Sequence, residues 1–199
     1  MIPLIKIRDF MRLIWAIIWG WLYIPHILIW LFSSQREIIR ADLHCMREQI
    51  NIALPDCLVL LFLLHHNKYY RAIFYHRIGV VAAAFISWYR PSDRYFMVSA
   101  TTNIGEGIRI YHPYATVINA ETIGTHFTCI QCTTIGAKDD LRPTIGNNVT
   151  LGANVTIIGN IHVGNNVTIG AGSVVVKDIP DNCIAAGNPA RIIKTLPNG

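Results

Sequence analysis

The sequence predicts a parallel β-helix of six-residue turns, preceded by a helical and strongly hydrophobic region. Within residues 145–175 an aliphatic residue recurs at intervals of six, and a glycine follows four of these residues. An α-helix cannot keep a period of six on one face, because its apolar stripe needs spacings of three and four. Glycine and Asn-Asn pairs tolerate the backbone angles of tight corners. Each turn is therefore expected to contribute one residue to a central stack, namely Ile145, Leu151, Ile157, Val163, Ile169 and Val175.

The composition limits the classes of protein that fit the chain. Its 199 residues suffice for one ordinary domain with an extension. Apolar residues make up 52% and charged residues 15%, so the chain is more hydrophobic than a typical soluble domain. A formal charge of +5 fits a membrane surface or an anionic ligand, but no dense Lys/Arg run points to nucleic acid. The five cysteines form no disulfide framework, which favours a reducing compartment.

Residues 1–34 are predicted to be a hydrophobic, membrane-associated segment. Residues 13–32 contain no Asp, Glu, Lys or Arg, and as a helix this run would cover the roughly 30 Å hydrocarbon layer. Basic residues on both sides of the run argue against a single span, because they would place one basic flank outside. They are Lys6, Arg8, Arg12, Arg36 and Arg40. Pro25 and His26 favour a bent hairpin with both flanks cytoplasmic, and a single span or a helix packed within an oligomer are the alternatives.

Residues 35–94 are predicted to form a helical domain, and residues 95–199 the β-helix with a C-terminal closing loop. The segment "REIIRADLHCMREQI" is amphipathic, and the apolar run after it ends at the turn signal "PSD". The six-residue phase then begins, and it is disturbed in "YHPYA" and in "AKDDLR". The inward positions predicted for this first part are Ile104, Ile110, Val117, Ile123, Cys129 and Ile135.

Two segments resemble the serine O-acetyltransferase branch of the left-handed β-helix, or hexapeptide-repeat, acyltransferases. They are "IGEGIRIYHPYATVINAETIG" and "CTTIGAKDDLRPTIGNNVTLGANVTIIGNIHVGNNVTIGAGSVVVKDIPDNCIAAGNPARII". The resemblance covers residues 68–194 closely and residues 35–67 loosely. It implies a left-handed parallel β-helix and acetyl transfer from acetyl-CoA to a hydroxyl, in a crevice between neighbouring subunits of a homotrimer. Whether such trimers pair into a dimer of trimers is left open.

His112 falls on the catalytic histidine of that family, so the resemblance implies that it is the general base. An alcohol attacks a thioester only when a base removes its proton as the bond forms, and a neutral imidazole suits pH 7. The resemblance also implies positions where small side chains let acetyl-CoA lie against the coil and where two cations reach its phosphates. These are Ala153, Gly170, Ala171, Gly172, Lys177 and Arg191. Solvated surface charge is the alternative for the two cations, and no metal is expected.

The sequence departs from the serine enzymes at the acceptor. Tyr111 and Arg142 stand where those enzymes have an aspartate and a second histidine. "YHPYATVIN" instead resembles the "HHGYAVVIN" segment of bacterial exopolysaccharide O-acetyltransferases, including colanic-acid acetyltransferases. A lipid-linked saccharide acceptor at the cytoplasmic face of the inner membrane would explain the hydrophobic segment and its lipid partner, and free serine is the alternative. The predicted acceptor-binding residues are Tyr111, Asn119, Asp139, Asp140, Arg142 and, by a looser match, Asp42, for which a surface charge is the alternative.

Two other classes of protein fit such a scaffold. A zinc lyase of the carbonic-anhydrase type needs three histidines around one metal. However, His126 and His162 occupy different places in the repeat, and Cys129 of the Cys129–Cys132 pair holds an inward position. A non-catalytic, membrane-anchored trimeric scaffold would use the hydrophobic run as its anchor and leave His112 without a role. Acceptor-dependent thioester cleavage that requires His112 distinguishes the enzyme from this scaffold.

Overall fold

The structure of the chain, a computed structural model, describes residues 7–50 and 54–197, and side chains from residue 10 to residue 48 and from 54 to 197. Lys6, one of the basic residues that flank the hydrophobic run, lies outside the described residues. The chain divides into two compact units, Met1–Asp93 and Arg94–Gly199.

The first unit is helical. Its elements are α1 (Ile7–Ile18), the 3-10 helix η1 (Gly20–Tyr23), α2 (Ile24–Phe32), α3 (Arg36–Ile50), α4 (Asp56–His66), α5 (Lys68–Ile78) and α6 (Val80–Ile86). Helix α4 lies at the centre, because residues 59–64 are all buried and α1, α3 and α5 pack against it. A helix that is apolar all round belongs in a core. The hydrophobic segment and the helical region therefore share one unit.

The hydrophobic run bends in the structure. Among the described residues, no single helix has the length and apolar composition to cross a membrane, and Phe10–Ile18 and Gly20–Phe32 meet that criterion only as a pair bent by 72°. The bend lies at Trp19, between the two arms. Pro25 sits in the first turn of α2, where its missing N–H removes no helix hydrogen bond. The chain thus bends before Pro25, at the junction of α1 and η1. Residues 10–32 are called the elbow below.

The second unit is a solenoid of short strands in three sheets. The strands are β1 (Phe96–Val98), β2 (Asn103–Ile104), β3 (Arg109–Tyr111), β4 (Thr116–Ile118), β5 (Thr122–Ile123), β6 (Thr128–Ile130), β7 (Thr134–Gly136), β8 (Thr144–Ile145), β9 (Thr150–Leu151), β10 (Thr156–Ile158), β11 (His162–Val163), β12 (Thr168–Ile169), β13 (Val174–Val175), β14 (Cys183–Ala186) and β15 (Arg191–Thr195). The chain visits a five-stranded sheet (β1-β4-β7-β10-β13), a four-stranded sheet (β2-β5-β8-β11) and a six-stranded sheet (β3-β6-β9-β12-β14-β15) in turn. Neighbouring strands are parallel up to β14, and β15 returns antiparallel to β14. The predicted β-helix architecture is confirmed.

The centre of the solenoid is the predicted aliphatic stack, with one position corrected. The prediction that Val117 points inward is wrong, because Val117 is 37% exposed and Ile118 is fully buried. Ile118 pairs with Ile135 of the next coil. Ile118 follows Ile110 by eight positions, whereas Ile135 follows Cys129 by six, so the path between successive inward positions is two residues longer around His112. These two extra residues delay the next inward position, so that Ile118 and not Val117 points into the core.

The chain passes from one sheet to the next at three edges of the solenoid. The His112 edge joins the six-stranded to the five-stranded sheet, the hairpin edge joins the five-stranded to the four-stranded sheet, and the asparagine edge joins the four-stranded to the six-stranded sheet. The His112 edge contains 112–115, 131–133, 152–155 and 170–173; the hairpin edge 119–121, 137–143, 159–161 and 176–178; the asparagine edge 124–127, 146–149, 164–167 and 180–182. Left-handed backbone recurs on the asparagine edge at His126, Asn148, Asn166 and Asn182, with φ between 54° and 56°. Asparagine tolerates this conformation better than most residues.

A ladder of side chains fixes the register of the asparagine edge. Asn147 Oδ1 accepts from the backbone N–H of Thr125 at 2.8 Å, and Asn165 Oδ1 accepts from that of Asn147 at 2.8 Å. Asp181 Oδ1 continues the ladder by accepting from the N–H of Asn165 at 2.7 Å. A Cβ on Gly146 would lie 2.7 Å from the backbone of the next coil, which explains why glycine follows the inward residue here.

Candidate functional site

His112 lies on an exposed corner between β3 and β4. Its φ of 50° places it in the left-handed region, which is uncommon for a residue with a Cβ. The backbone N–H of Tyr114 donates to the carbonyl of His112 at 2.6 Å, and the N–H of Cys132 donates to the carbonyl of Tyr114 at 2.9 Å. The Tyr114 ring also packs against Tyr95 of the same unit. These contacts hold the corner while leaving His112 itself exposed to solvent.

A row of small residues runs along the His112 edge. Ala153 and Ala171 lie two and three coils beyond His112, because β9 and β12 follow β3 at those steps in the six-stranded sheet. At about 4.8 Å per strand, these steps are about 10 Å and about 14 Å along the axis. The N–H of Gly172 donates to the carbonyl of Ala153 at 2.8 Å, so the row is continuous between these coils. A Cβ on Gly172 would meet nothing within 4 Å, so the space outside the row is open.

The row fits an extended acyl carrier. Ala171 and Gly172 are exposed, and neither presents a long side chain that would hold a ligand away from the backbone. Gly170 is more enclosed, because a Cβ there would lie 2.9 Å from the Cβ of Ala186. Residues 152–153 and 170–172 therefore form a narrow strip without long side chains, and it contains four predicted cofactor-binding positions. Gln131 lies in register between this strip and His112.

The two predicted phosphate ligands lie on different edges. Arg191 begins β15 and is paired with Ala186, at the end of β14 that leads toward the His112 edge. Lys177 follows β13 and lies on the hairpin edge. Both side chains are exposed. Within one chain, the structure thus brings Arg191 to the small-residue row but leaves Lys177 across the five-stranded sheet.

The disturbance at "AKDDLR" is a tight hairpin with two carboxylates at its tip. Lys138 and Leu141 exchange two backbone hydrogen bonds of 3.0 Å, which leaves Asp139 and Asp140 as the two turn residues. Their φ values of 53° and 61° are those of a type I′ turn, which needs positive φ at both central positions. Both aspartates are exposed, so the turn presents them to solvent.

Arg142 follows the hairpin, and two side chains of earlier coils hold it. Its Nη1 donates to Thr101 Oγ1 at 2.7 Å, and its Nη2 pairs with the carboxylate of Glu121. Asn119 lies on the same edge, where its N–H donates to the carbonyl of Ile135 at 2.9 Å. Sequence reasoning missed Glu121, because its contact with Arg142 depends on which coils are stacked and no local motif encodes this.

The predicted acceptor residues of one chain do not meet at His112. Tyr111 ends β3 directly beside His112 and is 38% exposed. The remaining members of the solenoid group, from Asn119 to Arg142, lie on the hairpin edge. The five-stranded sheet separates the two edges, and its outward face combines apolar side chains with Thr134 and Thr156. Exposed side chains on and beside that face are Met97, Val117, Ile158 and Val176.

Comparison with known proteins identifies the family of the chain. A family model described as bacterial transferase hexapeptide (six repeats) matches residues 142–177. A soybean serine acetyltransferase solved in complex with serine is 30% identical, with a TM-score of 0.64 over 80% of this chain and 70% of that chain. The chain belongs to the hexapeptide-repeat transferases. The family predicted from the sequence is therefore confirmed.

Other hexapeptide-repeat transferases are similar over different portions. The putative colanic acid biosynthesis acetyltransferase WcaB of Escherichia coli (strain K12) is 46% identical over 101 residues, which are 49% of this chain and 62% of that protein. A serine acetyltransferase solved in complex with CoA is 28% identical, with a TM-score of 0.60 over 79% of this chain and 68% of that chain. The chain spans about half the length of other curated relatives.

Asp42 of this hexapeptide-repeat transferase lies in the helical unit. It is 1% exposed, so the alternative that it is a surface charge is wrong. Arg77 Nε donates to its Oδ2 at 2.8 Å and Arg77 Nη2 to its Oδ1 at 3.4 Å, which joins α3 to α5. Removing one member of such a pair leaves an uncompensated buried charge. Asp42 therefore has a structural function, and its part in binding an acceptor stays a prediction.

The residues considered for zinc in this transferase lie on different faces. Within residues 7–50 and 54–197, no group of three His, Cys, Asp or Glu side chains is placed to hold a metal. His126 lies on the asparagine edge, whereas His162 lies on the four-stranded sheet, with its Nδ1 2.9 Å from Thr144 Oγ1. Burial raises the pKa of the Cys129 thiol to about 12, so Cys129 stays protonated in the core.

Proposed function

We propose that the chain is an acetyl-CoA-dependent O-acetyltransferase that modifies a hydroxyl of a bacterial cell-surface saccharide or of its lipid-linked precursor. The observation that carries this proposal is that His112 shares one edge with Ala153, Ala171 and Gly172. Acyl transfer to an alcohol needs a base at the reacting oxygen and a site that aligns the acyl donor. The His112 edge offers both within one chain.

His112 acts as the general base. Bound acetyl-CoA supplies an acetyl group activated as a thioester. His112 takes the proton of the acceptor hydroxyl as the new ester C–O bond forms, and it returns that proton to the sulfur as the C–S bond breaks. A positioned base of this kind is worth about 10²–10⁴ in rate. Backbone N–H groups along the edge stabilise the negative charge that develops on the carbonyl oxygen.

The small-residue row binds the acetyl donor. Ala153, Gly170, Ala171 and Gly172 let the pantetheine arm lie against the coil, where backbone groups donate to its amides. Arg191 lies at the same edge and is exposed, so it is free to approach an anionic end of the donor. Lys177 reaches the phosphates from the hairpin edge of a neighbouring subunit, since within its own chain it lies across the five-stranded sheet.

A homotrimer completes the site. Exposed apolar surface marks contact sites between proteins, and the five-stranded sheet presents Met97, Val117 and Ile158 outward. Burying this sheet between copies brings both of its flanking edges to the interface. The hairpin edge of one subunit then faces the His112 edge of the next. Whether two trimers associate further is a separate question.

The acceptor is a saccharide on this proposal. The similarity to WcaB, whose name describes colanic acid biosynthesis, supports it over 101 residues. Asp139 and Asp140 at the hairpin tip, with Asn119, Tyr111 and Arg142, offer acceptors and donors that suit sugar hydroxyls. Free serine is the second candidate, because a relative of similar fold was solved in complex with serine.

The elbow associates the enzyme with the cytoplasmic face of the inner membrane. Residues 13–32 carry no charged side chain, and Trp15, Trp19 and Trp21 are 53%, 41% and 62% exposed. Tryptophan is enriched at membrane interfaces, where an apolar ring and a polar N–H are both accommodated. This location would bring the enzyme close to an acceptor that is carried on a membrane lipid.

The test is CoA release from acetyl-CoA by detergent-purified protein, with L-serine, saccharide and lipid-linked saccharide as separate acceptors. We expect saccharide-dependent release that falls by about 10²–10⁴ in His112→Ala. His126→Ala is the matched control, because His126 is also an exposed histidine with φ of 56°, on the asparagine edge. Release with serine alone would support the second candidate. Release with none of the acceptors would favour a non-catalytic scaffold.

A further inference from the structure

We propose that α6 and the elbow form one continuous surface that lies on an anionic lipid leaflet. This deepens the membrane association proposed above and rests on it. The new element is α6, a short helix far along the chain from the hydrophobic run. The partner is the interfacial region of a bilayer rather than its full thickness.

The elbow presents its apolar side chains outward in the helical unit. Residues 10–32 contain no Asp or Glu, and the basic residue Arg12 lies near the start. A folded soluble unit rarely leaves so many large apolar side chains exposed together. Those at least half exposed are Phe10, Met11, Trp15, Ile17, Ile18, Trp21, Ile24 and Phe32.

Helix α6 adds a second exposed apolar face. Val81, Phe85 and Trp88 are 75%, 75% and 78% exposed, whereas Ile86 on the other side is 4% exposed. Residues 79–89 carry no charged side chain. The helix contacts α5 and α2 within the unit. One side of α6 therefore belongs to the core and the other has no partner among the described residues.

A hydrogen bond joins these two faces. Tyr89 Oη donates to the carbonyl of Leu22 in η1 at 2.9 Å and lies 3.4 Å from Nδ1 of His26. Trp21 and Trp88 are the chain neighbours of the two bonded residues, and they are 62% and 78% exposed. This hydrogen bond brings together the two chain segments that carry these exposed indoles, and we infer that their apolar faces are continuous.

The lengths of the helices fit a surface that lies flat. Gly20–Phe32, the longer arm of the elbow, would span about 20 Å at 1.5 Å per residue. This is shorter than the roughly 30 Å hydrocarbon layer. The two arms are bent by 72°, so they do not add to one straight span. Short amphipathic elements of this kind bury one face at the headgroup boundary.

The charges at the margin of the surface favour an anionic leaflet. The Arg36 guanidinium lies over the Trp30 ring at 5.7 Å, and that of Arg12 lies over the Phe62 ring at 5.3 Å. Both rings are buried, whereas Arg36 is exposed and Arg12 is half-buried, so the two cations lie at the border between the core and the solvent beside the elbow. Basic residues near a membrane surface attract anionic lipids, and added salt weakens this attraction. The centre of a protein interface is also apolar, so a protein partner is a separate outcome of the test below.

The experiment measures binding of the full chain to vesicles. Detergent-purified protein is diluted into vesicles of phosphatidylcholine alone or with phosphatidylglycerol, and the bound fraction is measured by co-sedimentation. We expect stronger binding with phosphatidylglycerol, weakened by added salt. The variant Val81→Ser/Phe85→Ser/Trp88→Ser should bind at least about tenfold more weakly with the elbow intact. The control is Ile192→Ser/Ile193→Ser, whose residues are 49% and 66% exposed on β15.

A second measurement guards against misfolding of the α6 variant. Brominated lipid should quench tryptophan fluorescence in the wild type, and Trp88→Phe should remove a distinct share of the quenched signal. Unchanged vesicle binding by the α6 variant, or a signal of Trp88 that brominated lipid does not quench, would overturn the proposal. So would a defined soluble oligomer in which Trp88 is protected without lipid. Acetyl transfer to a water-soluble saccharide tests the catalytic proposal separately. If the enzyme transfers acetyl but does not bind vesicles, only the proposed membrane surface is overturned.

Discussion

The ring of Tyr95 packs against the ring of Tyr114, with centroids 5.1 Å apart and planes inclined by 47°. Tyr114 also donates its N–H to the carbonyl of His112 at 2.6 Å. The aromatic pair therefore fixes the corner that carries His112, although neither tyrosine ring is part of the chemistry proposed for it. Tyr114 is a positioning residue on this account.

Replacing Tyr114 by alanine should lower kcat on the order of tenfold, because a small misplacement of a base reduces rate steeply. KM for acetyl-CoA should stay unchanged, since the small-residue row lies two and three coils away. Steady-state kinetics with each substrate varied separately checks this. Tyr114→Phe keeps the ring and should keep the rate. Equal loss in both variants would show that the hydroxyl, not the stack, matters.

The effect of the two hairpin carboxylates on acceptor binding can be tested separately from their effect on the turn. Asn-Gly is the preferred pair for a type I′ turn, so Asp139→Asn/Asp140→Gly should leave the melting temperature equal or higher. If the carboxylates bind the acceptor, KM for the saccharide should rise about tenfold or more, as expected for a lost charge-assisted hydrogen bond. KM for acetyl-CoA serves as the internal control. An unchanged acceptor KM would make these residues turn formers only.

The apolar face of the five-stranded sheet should control assembly. Ile158→Lys places a charge on a face proposed to lie between subunits, where an unpaired charge is costly. We expect the variant to lose the trimer and the activity together while its solenoid remains folded by circular dichroism. Ile192→Lys is the matched control, because Ile192 is 49% exposed and Ile158 is 43% exposed. A trimer that survives Ile158→Lys would place the interface elsewhere.

His26 should make the helical unit sensitive to acid. Burial, with smaller contributions from Arg71 and Arg90, lowers the pKa of His26 from 6.5 to about 4. Its Nε2 lies 3.1 Å from Tyr75 Oη in the core. Between these two pH values the unfolded chain binds the proton and the folded chain does not. The free energy of unfolding should therefore fall as the pH falls through this window, by at most about 3 kcal/mol.

Denaturant unfolding at several pH values between 6.5 and 4 measures that slope. His26→Gln cannot take up a proton and should give a shallower dependence, although part of the slope will remain because burial also lowers the pKa of His65 to about 4. His162→Gln, a change at an exposed histidine of the solenoid, is the control for loss of a histidine outside the helical unit. The same slope in wild type and His26→Gln would assign the effect to other groups.

The solenoid could be predicted from the sequence where its repeat is uninterrupted. From Ile145 to Val175 each inward residue is correctly placed, because a period of six is visible in any window of two turns. The prediction failed at Val117, since two extra residues in the preceding corner shift the phase and no local signal counts them. The hairpin at Asp139 was seen only as a disturbance, although its two adjacent aspartates are compatible with the positive φ values of the turn.

The contacts of the candidate site were less predictable. Glu121 and Arg142 are 21 residues apart, and they meet only because their coils are neighbours. The pair of Asp42 and Arg77 depends in the same way on how α3 packs near α5. Sequence indicated which residue types carry chemistry, but the partner of each charge is set by packing between elements that are distant in the chain.

The coils of the His112 edge determine how the distance between His112 and the small-residue row can change. One regular coil takes 18 residues, as between positions 153 and 171, and advances by one strand spacing of about 4.8 Å. The axial distance from the base to any residue of the row is therefore a whole number of strand spacings. Duplication or loss of one coil between them would lengthen or shorten this distance by one step and leave both ends intact. The length of acyl carrier that fits along this edge thus changes by whole coils rather than by gradual substitution of side chains.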